Sequence, residues 1–331
     1  MDFTTSILGL ELKNPLIASA SPMSASLEGV KKLEDSGIAA VIMHSLFEEE
    51  INHEIHQIDH FLHVNSDSYA EAITYLPDEV TFDNLQADQY LEEIRLSKEN
   101  VSIPIIASLN GVSAGGWVKY AKKLQEAGAD ALELNITYIP TSMELEGYRV
   151  EQMYIDTVAT VAEQINIPLN VKMNSFFSNP ANMAKRFVEA GANGLTLFDN
   201  PTLVDVDLEL LTPLQKANIT SSPRLSETLR WCAILYNKLS CSLCANTGVH
   251  SGEDVLKAIM SGADAAALAS VLLIRGEDEI KRILGDMREW MEKHEYESIA
   301  QMKGSISLSH TDNPSVYERN SYMYALQHYR R

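Results

Sequence analysis

Leu124-Gln-Glu-Ala-Gly128-Ala-Asp-Ala-Leu-Glu-Leu134 and Phe187-Val-Glu-Ala-Gly191-Ala-Asn-Gly-Leu-Thr-Leu197 repeat one pattern. It returns as Leu33-Glu-Asp-Ser-Gly37-Ile-Ala-Ala-Val-Ile-Met43 and Ile259-Met-Ser-Gly262-Ala-Asp-Ala-Ala-Ala-Leu268. Each copy reads as the end of an amphipathic helix, a glycine suited to a left-handed cap, a two-residue connection and a short apolar run. That is a helix-to-strand joint. Four copies imply a repeated strand–helix alternation, and short connections with apolar strands imply a parallel sheet covered by helices.

Working outward gives eight candidate strands: 15–20, 39–44, 103–109, 131–135, 169–173, 194–198, 242–246 and 265–268. Helices are expected over 27–36, 116–127, 152–164, 181–190, 225–238 and 253–260. Eight strands with helical crossovers is the count of a closed (β/α)8 barrel, the TIM barrel, whose ligand site is built at the C-terminal ends of its strands. A doubly wound open sheet is the alternative, but no G-x-G-x-x-G follows the first strand. A barrel of about 250 residues reduces the 331 residues to one domain with additions. These are insertions at 46–100 and 199–224, both on the active-site face, and a Tyr- and Arg-containing tail at 297–331 that reads as a docked segment or subunit contact.

Acidic residues number 46 against 26 basic, a formal net charge of −20. A body so charged is a poor partner for nucleic acid without a local basic stripe, and Lys281, Arg282 and Arg288 are interleaved with acids. Three cysteines cannot build a disulfide framework, which points to a reducing, cytoplasmic setting. Asp2 and Glu11 stand where a secretory leader would be apolar. The purest apolar block, 265–274, is about half of the ~20 residues that a membrane span needs. Neither a membrane nor a nucleic acid is therefore an expected partner; a small molecule is.

The strand ends form a polar ring of amides and hydroxyls: Ser19, Ser21, His44, Ser45, Asn110, Asn135, Thr137, Lys172, Asn174, Asp199, Asn200, Asn246, Thr247 and Ser270. One lysine and few carboxylates argue against a hydrolytic metal centre. Cys241-Ser-Leu-Cys244 runs into a strand, where residues three apart face opposite sides. Glu48–Glu50 with His53, His56 and His60 reads as a solvated amphipathic face. Asn246-Thr-Gly-Val-His-Ser-Gly252 followed by a helix, with Ala269-Ser270 at the next strand end, has the makings of a phosphate cradle.

In these segments the chain resembles the dihydroorotate dehydrogenase family of FMN barrels. The carrying stretches are Leu12-Lys-Asn-Pro-Leu-Ile-Ala-Ser-Ala-Ser21, Glu133-Leu-Asn135, Val171-Lys172, Asn246-Thr-Gly-Val-His-Ser-Gly-Glu-Asp254 and Leu268-Ala-Ser270, in matching order and spacing. The resemblance implies that Ser19, Ala20 and Ser21 lie against the isoalloxazine ring of FMN, with Asn110 and Asn135 at its polar edge. It implies Lys172 beside the N1/O2 side of the ring, where a cation stabilises the anionic reduced flavin. Asn246, Thr247, Gly248, Ala269 and Ser270 would hold the ribityl phosphate, and homodimerisation is a family expectation.

The substrate side departs from the family. The base, a Cys or Ser, falls at Tyr138, and the Pro-Asn after it is Ile139-Pro140. His44, followed by Ser45, replaces the strand-two lysine that touches flavin and orotate. Asp199, beside Asn200, stands where an asparagine is expected, and the segment that cradles orotate is not recognisable between 46 and 100. A phenol with a reference pKa near 10 is a poor base at neutral pH and a reasonable acid. Three readings follow. The first is a dihydroorotate dehydrogenase-type oxidation, in which proton and hydride leave neighbouring carbons. The second is an ene-reductase-like enzyme with Tyr138 as proton donor, and the third is a flavin-binding protein without turnover.

Overall fold

The computed structural model describes residues 1–47, 85–111, 114–319 and 321–328. The amphipathic face read at Glu48–Glu50 with His53, His56 and His60 lies outside the described residues.

The eight expected strands form one closed parallel barrel. They are β1 (Leu16–Ala18), β2 (Ala40–Ile42), β3 (Ile105–Gly111), β4 (Ala131–Ile136), β5 (Leu169–Met173), β6 (Gly194–Leu197), β7 (Ser242–Ala245) and β8 (Ala265–Leu268). Each pairs with the next, and β8 pairs back onto β1 through Leu268↔Ala18. The surrounding helices are α1 (Leu27–Asp35), α2 (Leu85–Asn100), α3 (Ala114–Glu126), α4 (Gly147–Ala162), α5 (Pro180–Glu189), α6 (Leu225–Leu235), α7 (Gly252–Ser261) and α8 (Glu279–Lys293). Helix α4 begins at Gly147, earlier than the expected start at 152.

The four joints share one hydrogen-bond scheme. Gly37, Gly128, Gly191 and Gly262 have φ of 105°, 98°, 110° and 115°, the left-handed region that a side chain disfavours. At Gly191 its N–H donates to Val188 O at 3.0 Å, while Ala192 N–H reaches Phe187 O at 3.0 Å. This is the double bond of a Schellman cap. The same pair of bonds recurs at the other three glycines. The acid or amide two residues on has its own task. Asp130, Asn193 and Asp264 accept from the N–H groups of Ile105, Leu169 and Leu243, at 2.7, 2.9 and 2.7 Å. Each therefore satisfies an amide at the start of the neighbouring barrel strand.

An antiparallel hairpin, Thr5–Ile7 with Leu10–Leu12, packs Ile7, Leu8 and Leu12 against Ile17, Ile42 and Ile106 in the lower barrel interior. The second insertion holds a feature not read from the sequence, a hairpin of Leu203–Asp207 with Thr212–Lys216. Val204, Val206, Leu208 and Leu211 on it are exposed. The tail docks as far as Leu308 by backbone bonds onto α6 and α7, the last being Leu308 N–H to Ala233 O at 3.0 Å. Beyond that, Tyr322, Met323, Tyr324 and Leu326 are exposed. Among the described residues no helix is long and apolar enough to cross a membrane.

Candidate active site

Parallel register builds the site. It pairs Asn110 with Asn135, Asn135 with Lys172 and Lys172 with Thr196, so one row of the barrel runs amide, amide, ammonium, hydroxyl. The row below is Ser108, Glu133 and Asn170. Residues two apart in a strand share a face, so Glu133 lies under Asn135 and diagonally below Lys172. Its Oε1 is 2.8 Å from Lys172 Nζ. Asn170 Nδ2 and Thr196 Oγ1 donate to its other oxygen at 3.0 and 3.1 Å. Glu133 is wholly buried and Lys172 is 7% exposed. Burial opposes the Lys172 charge, but the Glu133 and Asp199 carboxylates outweigh it and hold the ammonium above its usual range. The sequence reading singled out Lys172 and missed its counter-ion as a site residue.

Above this row opens a cleft of about 380 Å³. Ser19, Ala20, Ser21, Ser45, Asn110, Asn135, Lys172, Asp199, Asn200, Asn246, Thr247, Gly248, Ala269 and Ser270, all expected at a ligand, line it. His44, Thr137 and Tyr138 are not among its lining residues. The His44 ring meets Tyr90 edge-on at 5.3 Å. Thr137 Oγ1 donates to Asn135 Oδ1 at 3.2 Å. Tyr138 is half-buried against the core, and its N–H donates to the Tyr154 hydroxyl at 3.2 Å. The Tyr154 oxygen also accepts from Asn174 Nδ2, at 3.2 Å.

The amide and acid after β6 are held by neighbours. Asn135 Nδ2 donates to Asp199 Oδ1 at 3.2 Å, and Asn200 Nδ2 donates to Asn218 O at 2.5 Å. Ala217, Asn218, Ile219 and Thr220, from the returning arm of the second insertion, form part of the wall. Sequence reasoning flagged that insertion without picking these residues.

At the seventh strand end, Asn246 Nδ2 and Thr247 Oγ1 both donate to Phe198 O, at 2.7 and 2.9 Å. Those side chains fasten the loop to β6, and its backbone is what remains to meet an anion. Thr247 and Gly248 take φ of 71° and 89°, and a Cβ at Gly248 would fall 2.4 Å from Leu225 N. Ser270 Oγ accepts from Thr220 N–H at 3.1 Å and from Thr220 Oγ1 at 3.0 Å. His250 Nε2 lies 3.3 Å from the same Thr220 hydroxyl. Desolvation lowers the His250 pKa, and Asp254 opposes that shift. Cys232, Cys241 and Cys244 are free thiols, and burial pushes the first two up to about 12, far from thiolate reactivity.

The family model described as dihydroorotate dehydrogenase matches residues 2–291. The chain belongs to the dihydroorotate dehydrogenase family. It is 24% identical over 309 residues to the dihydroorotate dehydrogenase B (NAD(+)) catalytic subunit of Thermoplasma acidophilum, covering 92% of this chain and 98% of that protein. The protein of the same name from Methanocaldococcus jannaschii is 22% identical over 301 residues, covering 87% and 93%. That of Methanothermobacter thermautotrophicus is 23% identical over 308 residues, covering 91% and 97%.

A dihydroorotate dehydrogenase-family barrel is an oxidoreductase acting on CH–CH groups, and its cofactor is FMN. The cleft's chemistry fits that group. A cleft whose lining residues include one buried ammonium, an amide pair and a Gly-containing loop with its side chains tied back offers a cation, polar contacts and a close-approach backbone.

Proposed function

We propose that this chain is an FMN-dependent enzyme that exchanges hydride between the flavin and an activated carbon–carbon bond. The observation that carries the reading is the Lys172 ammonium, buried at the mouth of the barrel within the cleft and clamped by Glu133 at 2.8 Å. FMN, when bound, supplies the two-electron acceptor or donor. The residues proposed to hold it are Ser19, Ala20, Ser21, Ser45, Asn110, Asn135 and Lys172 around the ring. The backbone of Asn246–Gly248, with Ala269 and Ser270, is assigned to the phosphate; His44, half-buried after β2, is assigned to the ring. Asp199, Asn200 and Thr137 are assigned to the substrate side.

Saturation of the substrate's double bond needs a proton at the carbon next to the one that takes hydride; oxidation needs that proton removed. Tyr138 is the proposed donor, since a phenol is protonated at neutral pH. It stands two residues beyond the end of β4, the strand that carries Asn135 into the cleft. The exposed apolar hairpin at 203–216 supports a homodimer contact, and three free cysteines support a cytoplasmic setting.

The test is anaerobic mixing of the photoreduced, FMN-loaded protein with a cyclic enone or unsaturated cyclic imide. Reoxidation of the flavin is expected, and Tyr138→Phe should slow it about 10²–10⁴-fold at unchanged FMN content. Equal rates in the two proteins would remove Tyr138 from the proton path.

A further inference from the structure

Granting the functional reading above, we infer that the substrate is an uncharged ring with N–H donors, of the lactam or cyclic-imide class, and not a carboxylate. The first observation is a census of charge. Of the described residues lining the cleft only Lys172 and Asp199 are charged, and they are opposite in sign. The Lys172 ammonium is already committed to the buried Glu133 carboxylate at 2.8 Å. Counting that carboxylate, the centre holds two negative charges against one positive. An anionic substrate would add a third negative charge where water is scarce, and like charges brought together in such a place oppose binding strongly.

Sequence closes one escape. Residues 48–84, the long insertion after β2, contain no lysine or arginine; their basic side chains are histidines. Wherever that segment lies, it brings no permanent cation to the cleft.

The second observation is the pattern of acceptors. Asn200 donates its amide N–H to Asn218 O, which orients the group, and its Oδ1 is buried with no hydrogen-bond partner among the described residues. Beside it stands Asp199, an acceptor only when ionised, with one oxygen taken by Asn135. Both residues line the cleft. The Asn200 oxygen is itself closed off from the cleft; the remaining Asp199 oxygen is the acceptor that a ligand N–H meets there. An acceptor in the cleft wall matches the N–H group of a lactam or imide edge, whereas a carboxylate added to such a ring brings only a further acceptor and a further negative charge.

The test uses uracil and orotate, a pair differing by one carboxylate, titrated into the FMN-loaded full chain while flavin absorbance is followed. Working at about pH 8 keeps ordinary histidines neutral. Uracil should perturb the flavin spectrum, with orotate at least tenfold weaker, and Asp199→Asn should narrow that gap. Orotate binding as tightly as uracil would overturn the inference. So would a flavin-loaded protein that responds to neither, or an Asp199→Asn variant with the gap unchanged. A protein that takes up no FMN overturns the functional reading instead, which keeps the two failures apart.

Discussion

Glu133 shows how one side chain sets the character of the site. Removing one partner from a buried ion pair leaves the other charge uncompensated, at a cost of about 3–5 kcal/mol. Glu133→Gln should therefore lower stability by about that amount in urea unfolding, while Thr196→Val, which removes a supporting donor 3.1 Å away, should cost about 1 kcal/mol. Equal losses in the two variants would show that the pair is not the dominant interaction there. His250 gives a pH-dependent counterpart. Its folded pKa lies below the ordinary 6.5 because burial disfavours the cation. As pH falls, the unfolded chain takes up that proton first. The stability from neutral His250 is then whole above about pH 6.5 and lost as pH drops through the folded value. His250→Gln should flatten the wild-type decline below about pH 6.5, measured by parallel urea titrations; parallel curves for both proteins would contradict it.

At the scale of elements, the helix-to-strand joint is the unit that carries the fold. Gly191→Ala would force a side chain onto φ 110° and set its Cβ 2.7 Å from Ala162 Cβ. A loss of more than about 1 kcal/mol is expected from the backbone conformation alone, seen as a lower urea midpoint with an unchanged slope. A midpoint equal to wild type would mean the cap relaxes freely. The joints were legible because their signal is local: a glycine that must be left-handed, then an apolar run. The function of Asp130, Asn193 and Asp264 was less legible, since the amide each one satisfies belongs to a strand more than twenty residues away. The hairpin at 203–216 escaped the sequence because strand periodicity marks a face pressed on a core. Here Val204, Asp205 and Val206 are all exposed, so burial imposed no alternation. Glu133 was readable in principle, two residues before Asn135 on the same face of β4, but attention to strand ends passed over the layer beneath them. The wall at Ala217–Thr220 depends on how the insertion folds back, and no local pattern encodes that.

For the whole molecule, closure of eight strands brings residues from every part of the chain to one cleft, from Ser19 to Ser270. That assembly was foreseeable once the strands were counted, because a barrel gathers its strand ends. The net charge of −20 is a property of the exterior and acts chiefly on solubility and association. The interior obeys a separate balance, set by Lys172, Glu133 and Asp199. Family membership adds the reaction class. The most direct measurement is anaerobic stopped-flow mixing of the FMN-loaded full chain with 5,6-dihydrouracil. Loss of the oxidised-flavin absorbance, one substrate oxidised per flavin, is the predicted result. A flavin that dithionite reduces but dihydrouracil does not bleach, and that no unsaturated ring reoxidises once reduced, would contradict it.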